Sequence, residues 1–468
     1  MKNKVILLHP KVFEHDRGDL PLAPLALAGV LEKEGFDPII VDQSTEGENA
    51  KVVIRDNIKD ALWVGVSAMS GDQIKYGLQM ADYVRAISPE TPIVWGGRHC
   101  DSMSDQTACD SRVDVVVRGE GERVVVDLSN AYASGSSLEN VKGIKFVKDG
   151  EIVSSPDQEF IADLNTLPHI PWHRFDLDKY FQGRKIKQIS IQTGRGCPYN
   201  CSFCSHKVIA SETFRRFSAE RILENLEPVI DRYNIDRVVL YEPFFITDQN
   251  RISAFCEGVL KRGWKIEWTG SARANNFWKL PAELLELMKR SGCRMLTFGF
   301  ESGSQKTLDY INKKITVEDI KSSVRVCHEY NIMPDACFIV GFPEETMLDV
   351  VRTLGIIAEV IHICPALLLH VQIYTTFPGS VLYEECLDKH GLQGLESLEE
   401  WGEFSRWKKN RPWLSWWFGY FLKMLNGSIY ASDVCYLKKY RKDLKFIVPL
   451  HFLTRVIYSV FYRLRKVF

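Results

Sequence analysis

Residues 191–206 read IQTGRGCPYNCSFCSH, and the three cysteines in this stretch decide how the rest of the chain is read. Cys197, Cys201 and Cys204 are spaced C-x3-C-x2-C. Pro198 disfavours helical geometry at Cys197, and Gly194 and Gly196 loosen the approach. The segment is therefore expected to be a loop that wraps three thiols around one centre. Three thiolates are one short of closing a tetrahedral structural site. On an iron–sulfur cluster, the missing ligand leaves one iron free to bind something else. Zinc is the competing reading, with His206 as the fourth ligand of a Cys3His site. Its weakness is the cramped one-residue gap before His206. The remaining alternative is three unrelated buried thiols.

Downstream of the cysteines, strand-like and helix-like runs alternate through six units between residues 186 and 391. The strand-like runs are KIKQISIQT, DRVVLYE, KIEWTGSAR, RMLTFGFES, PDACFIVGFP and LLLHVQIYTTFPG. Thr316 with Asp319 forms a capping box that starts one helix, and Gly263, Gly292 and Gly391 stop others. Repeated parallel βα units imply a barrel, and six imply a partial, open (β/α)6 barrel with its chemistry at the carboxyl ends of the strands. The polar positions there are Glu242, Arg273, Glu301, Gly341 and Glu344. A cation, acids and donors around one mouth suit a zwitterion that carries a ribose.

Upstream, residues 1–130 also alternate strand and helix, in KVILLHP, DPIIVDQ, ALWVGVSAM, TPIVWGG and VDVVVRGEGE. This pattern implies a doubly wound, Rossmann-like open sheet. Such sheets bind ligands beyond the carboxyl ends of their strands, where His9, Ser67, Gly96 and Gly97 fall. Residues 131–185 read as a connector, with a hairpin turning at Asp149-Gly150 and a proline- and aromatic-rich stretch laid across the domain junction. Residues 392–468 form a C-terminal extension expected to be helical, basic and aromatic. Residues 405–468 hold fourteen Lys or Arg against Asp433 and Asp443, so a tail of formal charge +12 follows a body of −13. That asymmetry marks an interaction surface. Basic residues mixed with aromatics suit a helix lying in a membrane interface. The acidic body argues against nucleic acid. The N-terminal apolar run is too short for a signal peptide, and twelve cysteines without a regular framework fit a reducing cytoplasm.

The C-x3-C-x2-C spacing, with Phe203 just before the last cysteine, resembles the signature of radical S-adenosylmethionine (SAM) enzymes. The resemblance implies a 4Fe–4S cluster on Cys197, Cys201 and Cys204, with SAM chelated at the open iron and cleaved reductively to a 5′-deoxyadenosyl radical. Tyr241-Glu242-Pro243 is similar to the element that hydrogen-bonds the SAM amino group. Arg273 and Glu301 match positions that hold the SAM carboxylate or ribose. Gly341 with Glu344 matches an adenine-supporting element, in which Cys337 replaces the first glycine. The first domain resembles the cobalamin-binding domain through Ser67-Ala68-Met69, a gap of 26 residues, Gly96-Gly97 and RGEGE at 118–122. Phe13 stands where that family has an aspartate, so His15 lacks the partner that would orient an imidazole ligand. Cobalamin is therefore expected to bind without that ligand. These resemblances imply methyl transfer to an unactivated carbon of a hydrophobic substrate, with flavodoxin or ferredoxin as electron donor. Two alternatives are oxidative cyclisation by a radical SAM enzyme and a zinc-binding module without catalysis.

Overall fold

The apolar runs of the first 120 residues become a parallel sheet covered on both faces, as runs without polar alternation require. The computed structural model describes residues 2–12, 19–205, 213–404 and 411–422. His15, His206 and the tail from 423 to 468 lie outside the described residues. The strands β1 (Lys4–His9), β2 (Asp37–Asp42), β3 (Ala61–Ser67), β4 (Ile93–Gly96), β5 (Val115–Val117), β6 (Ile144–Lys148) and β7 (Glu151–Ser154) form one seven-stranded sheet in the order β2-β1-β3-β4-β5-β6-β7. Along β1, Ile6 and Leu8 enter the core on one face while Val5 and Leu7 enter the core on the other. The order reverses between β1 and β3, and this reversal is where such sheets take their ligands. The hairpin assigned to the connector pairs antiparallel with β5, so the sheet continues past residue 130.

The second sheet contains β8 (Gln188–Gln192), β11 (Arg237–Tyr241), β12 (Glu267–Ala272), β13 (Cys293–Glu301), β14 (Met333–Val340) and β15 (Leu368–Ile373). All pairs are parallel, and the order β15-β14-β13-β12-β11-β8 leaves β15 and β8 as edges. A short antiparallel ladder of β9 (Gly194–Arg195) and β10 (Arg215–Arg216) closes the base of the cysteine loop.

Local chemistry starts and stops the covering helices. Ser218 caps the helix Ala219–Tyr233, whose Ile222, Leu226, Val229 and Ile230 face the core, and Asn234 ends it at φ 51°. Thr316 and Asp319 form the expected capping box, and Thr346 with Asp349 forms a second one. Gly263, Gly292 and Gly391 follow their helices at positive φ. At Gly292 a Cβ would lie 2.1 Å from the Ile266 carbonyl oxygen, so a side chain has no room there.

The proline-rich connector does span the junction. Trp172 donates to the Asn225 carbonyl at 2.7 Å, and Arg174 reaches Glu32 and Asp37 of the first domain, each at 2.7 Å. The extension after residue 391 first returns to the N-terminal sheet. Leu398 and Trp401 enter its core, and Trp401 donates to Gln106 at 2.6 Å. Their i, i+3 spacing puts both on one face of the short helix Leu398–Gly402. Residues 411–422 then cross the ends of β14 and β15. Arg411 donates to Thr375 Oγ1 at 2.8 Å, and Trp413 donates to the Gly341 carbonyl at 3.0 Å.

Candidate active site

The cysteine loop leaves the carboxyl end of β8 and is tied down on three sides. The Ser202 N–H donates to the Ile311 carbonyl at 3.0 Å, the Leu382 N–H donates to the Ser202 carbonyl at 2.7 Å, and Asn312 donates to the Asn200 carbonyl at 2.6 Å. Cys197 and Cys201 are half-buried and Cys204 is exposed. Burial pushes the Cys197 thiol up, and the charges of Cys204 and Cys201 add to the rise. Cys201 and Cys204 thus both lie within electrostatic reach of Cys197. Among the described residues, no three His, Cys, Asp or Glu side chains are drawn together into a single-ion shell.

Arg273 follows β12 and is buried, with its guanidinium carbon 3.5 Å from the centre of the Tyr199 ring. Its Nε and Nη2 are buried without a hydrogen-bond partner among the described residues. A buried, charged donor left unmatched is costly. A carboxylate arriving beside Tyr199 would meet both nitrogens at once.

Glu301 ends β13 at φ 60°, just after a register shift against β14. A bulge of this kind re-aims a side chain, and strained backbone of this kind clusters at functional sites. Its carboxylate binds Lys313 at 2.7 Å, with both groups nearly buried. The Lys313 Nζ also stands 5.8 Å from the centre of the Phe203 ring. Lys313 carried no signal in the sequence, because its aim depends on a turn with Asn312 and Lys314 both at positive φ.

Two of the expected residues turn their carboxylates elsewhere. The Glu242 side chain is fully buried, and both oxygens are taken, by Arg251 at 3.0 and 3.1 Å and by Thr193 at 3.0 Å. Its carboxylate is therefore engaged in bracing the end of β11. The Glu344 side chain is 58% exposed, with only a 3.8 Å approach to His390. The inward carboxyl is Glu345. It accepts from the Gly341 N–H and keeps Oε1 buried without a partner among the described residues. Gly341 has φ 85° and packs beneath Leu422 and Leu414.

Burial pushes the Glu345 carboxyl up to about 8, against the Gly341 and Phe342 N–H groups that favour its ionised form. The folded chain therefore holds this proton while an unfolded carboxyl near 4.5 has lost it. Stability is expected to fall as pH rises between those values. Glu345→Gln should remove that dependence. Its stability advantage over the wild type should grow from pH 5 to pH 8.5, reaching on the order of a few kcal/mol. Parallel melting curves across that range would exclude the assignment.

In the first sheet, Ser67 and Gly96 are register partners, and Gly97 has φ 107°. A Cβ at Gly97 would lie 2.8 Å from the Ala68 carbonyl oxygen, so only glycine fits this turn. Among the described residues, Gly96 has only Val117 near its missing side chain, at 3.6 Å. The two glycines leave bare backbone at the strand ends. Beside the reversal of strand order, His9 Nδ1 pairs with the buried Asp42 carboxylate at 2.9 Å.

The two sheets meet through acids of RGEGE. Glu120 approaches Arg195 at 3.2 Å and Arg215 at 2.9 Å, and Glu122 also pairs with Arg195. Burial alone would raise the Glu120 carboxyl, but Arg215, Arg195 and the Ile161 N–H outweigh it and hold the carboxyl below its usual range.

Residues 191–357 match the radical SAM superfamily, and residues 12–129 match the B12-binding domain. The chain contains a radical SAM domain and a B12-binding domain. An uncharacterised methyltransferase of Pyrococcus horikoshii is 28% identical over 369 residues, covering 78% of each chain. The anaerobic magnesium-protoporphyrin IX monomethyl ester cyclase of Rubrivivax gelatinosus is 26% identical over 398 residues, covering 82% of this chain and 70% of its own. Among solved structures, the radical SAM methyltransferase TsrM from Kitasatospora setae, with cobalamin and a [4Fe–4S] cluster bound, aligns with a TM-score of 0.69 at 17% identity. That alignment covers 84% of this chain and 76% of TsrM. Radical SAM membership brings a 4Fe–4S cluster and SAM, and the B12-binding domain brings cobalamin. The geometry fits these groups: three thiols on one loop suit the cluster, the unmatched Arg273 suits the SAM carboxylate, and the bare Gly96-Gly97 turn suits close passage of a cofactor tail.

Proposed function

We propose that this radical SAM enzyme transfers a methyl group to an unactivated carbon of a hydrophobic small molecule. The observation that carries the reading is the direct, buried contact between the B12-binding sheet and the base of the cysteine loop, through Glu120, Glu122, Arg195 and Arg215. When bound, the cluster with SAM supplies a 5′-deoxyadenosyl radical, and cobalamin supplies a transferable methyl group. In this reading Cys197, Cys201 and Cys204 hold the cluster, Arg273 orients the SAM carboxylate, and Glu345 faces the adenine side. Trp413, Leu414 and Leu422 roof the end of β14 with apolar surface. That roof keeps water away from a reacting carbon and supports an apolar substrate. The match to the magnesium-protoporphyrin cyclase favours oxidative cyclisation as the second reading.

The test is anaerobic incubation of the reconstituted enzyme with methyl-deuterated SAM and cell extract. Both 5′-deoxyadenosine and S-adenosylhomocysteine should form, because one SAM makes the radical and another replenishes the methyl group, and a product should gain the label. Only 5′-deoxyadenosine, with a product that has lost hydrogen or gained oxygen, would establish the cyclase instead. Reduced flavodoxin should replace dithionite in this assay. Turnover with dithionite but none with reduced flavodoxin or ferredoxin would reject that class of donor.

The setting we propose is the cytoplasm, with the tail against the inner membrane face. No helix of the described residues is long and apolar enough to cross a membrane. At the start of the tail, Trp416 is 85% exposed, and Trp417 and Tyr420 are exposed beside it. Such aromatics favour a membrane interface, and each Lys or Arg near anionic lipid contributes ~1 kcal/mol. Full-length protein should sediment with phosphatidylserine vesicles at low salt and be released at high salt. Equal supernatant recovery of full-length and tail-deleted protein at low salt would reject membrane binding.

A further inference from the structure

The ladder at the base of the cysteine loop contains an electrostatic conflict that its own domain does not resolve. Arg195 of β9 and Arg215 of β10 are direct register partners. Like charges placed opposite one another across a strand pair are destabilising, and here both side chains are nearly buried, at 12% and 9% exposure. The carboxylates that settle the conflict come from the other domain. Glu120 receives both guanidiniums, and Glu122 pairs with Arg195 Nη2, while Arg195 Nε donates to the neutral Gln192 side chain at 2.9 Å. Glu120 also accepts from the Ile161 N–H at 2.8 Å, and Arg215 donates to the Ile161 carbonyl at 2.7 Å, so the connector is held in the same knot.

We infer that Glu120 and Glu122 are positioning residues that set the cysteine loop against the B12-binding sheet and so fix the separation of cobalt from the iron–sulfur cluster. The inference rests on the cofactor assignment above and adds to it a device for setting distance. Two observations support distance-setting over simple cohesion. The ladder stands at the stem of the loop that carries Cys197, Cys201 and Cys204, so a shift there passes directly into the segment that leads to Cys197. The glutamates flank Gly121 at the start of the helix Gly121–Ser134, directly after β5, so they are rigidly attached to the sheet. A guanidinium fork fixes a carboxylate in two directions, which a single ammonium does not.

The readout is the microwave power needed to saturate the cob(II)alamin electron paramagnetic resonance signal in full-length protein loaded with cluster and cobalamin. A reduced, paramagnetic cluster nearby speeds cobalt relaxation, and the effect falls steeply with distance. In the wild type, half-saturation power should rise severalfold when dithionite reduces the cluster. In Glu120→Gln/Glu122→Gln, with iron and cobalamin contents matched to the wild type, that rise should fall by at least half. If this variant does not fold, Arg195→Lys/Arg215→Lys keeps the charges while removing the forks, and the same loss is expected. An unchanged rise in a fully loaded variant, even one with a lowered melting temperature, would show a merely structural role and overturn the proposal. A wild type that holds both groups without any rise would also overturn it and leave the cofactor assignment intact. A wild type that binds no cobalamin would end both.

Discussion

Cys201→Ala is expected to yield folded protein with no bound cluster and with 5′-deoxyadenosine formation reduced to background. The loop offers three thiols, and a cluster held by two of them loses the site at which one open iron is defined. The fold should survive, because Cys201 is only half-buried and belongs to none of the hydrophobic cores. Its backbone carbonyl accepts from the Cys204 N–H at 3.1 Å, a contact that alanine keeps. The measurement is iron and sulfide content after anaerobic reconstitution, together with nucleoside analysis. Stoichiometric zinc without iron in the anaerobically prepared wild type would sink the cluster assignment outright.

The second large effect is expected at Arg273. A hydrogen bond to a charged group contributes about 1.5–3 kcal/mol, so Arg273→Gln should weaken SAM binding by roughly 10- to 100-fold. Stability should move the other way. The guanidinium is buried with two nitrogens unmatched, so removing it relieves a desolvation cost and offsets the lost stacking on Tyr199. Arg273→Lys keeps the charge without the fork and should recover only part of the affinity. Equilibrium binding of SAM to the cluster-loaded variants decides the matter. An undiminished affinity in Arg273→Gln, or a large drop in its melting temperature, would make Arg273 a structural residue.

What was legible in the sequence follows from range. Strand ends are local features, so His9, Ser67, Arg273 and Glu301 could be located by counting residues along apolar runs. The cysteine spacing is equally local. What was not legible depended on which way a side chain turns. Glu344 and Glu345 are adjacent acids after a glycine, and only the φ of 85° at Gly341 and its N–H bond show which one turns inward. Glu242 was found at the right strand end, but its partner Arg251 lies in the following helix, and nothing nearby in sequence marks the pair. Lys313 reaches Glu301 only through an unusual turn. The hairpin was read correctly as a hairpin, yet its docking on β5 depends on the edge of a distant sheet. The same limit hid the return of Leu398 and Trp401 to a core built mainly from residues before 120.

That return bears on how the chain comes to be folded. The N-terminal sheet closes its hairpin at Ser154, but the indole that seals its core belongs to residue 401. At a ribosomal rate of 5–20 residues per second, roughly 10–50 s separate the two events. The short helix Leu398–Gly402 packs on the helix Asp72–Ile87, so during that interval the apolar face of the latter lacks its cover. A fragment cut to the sheet alone would keep that surface permanently, so its poor yield would reflect a missing plug rather than an incapacity to hold cobalamin.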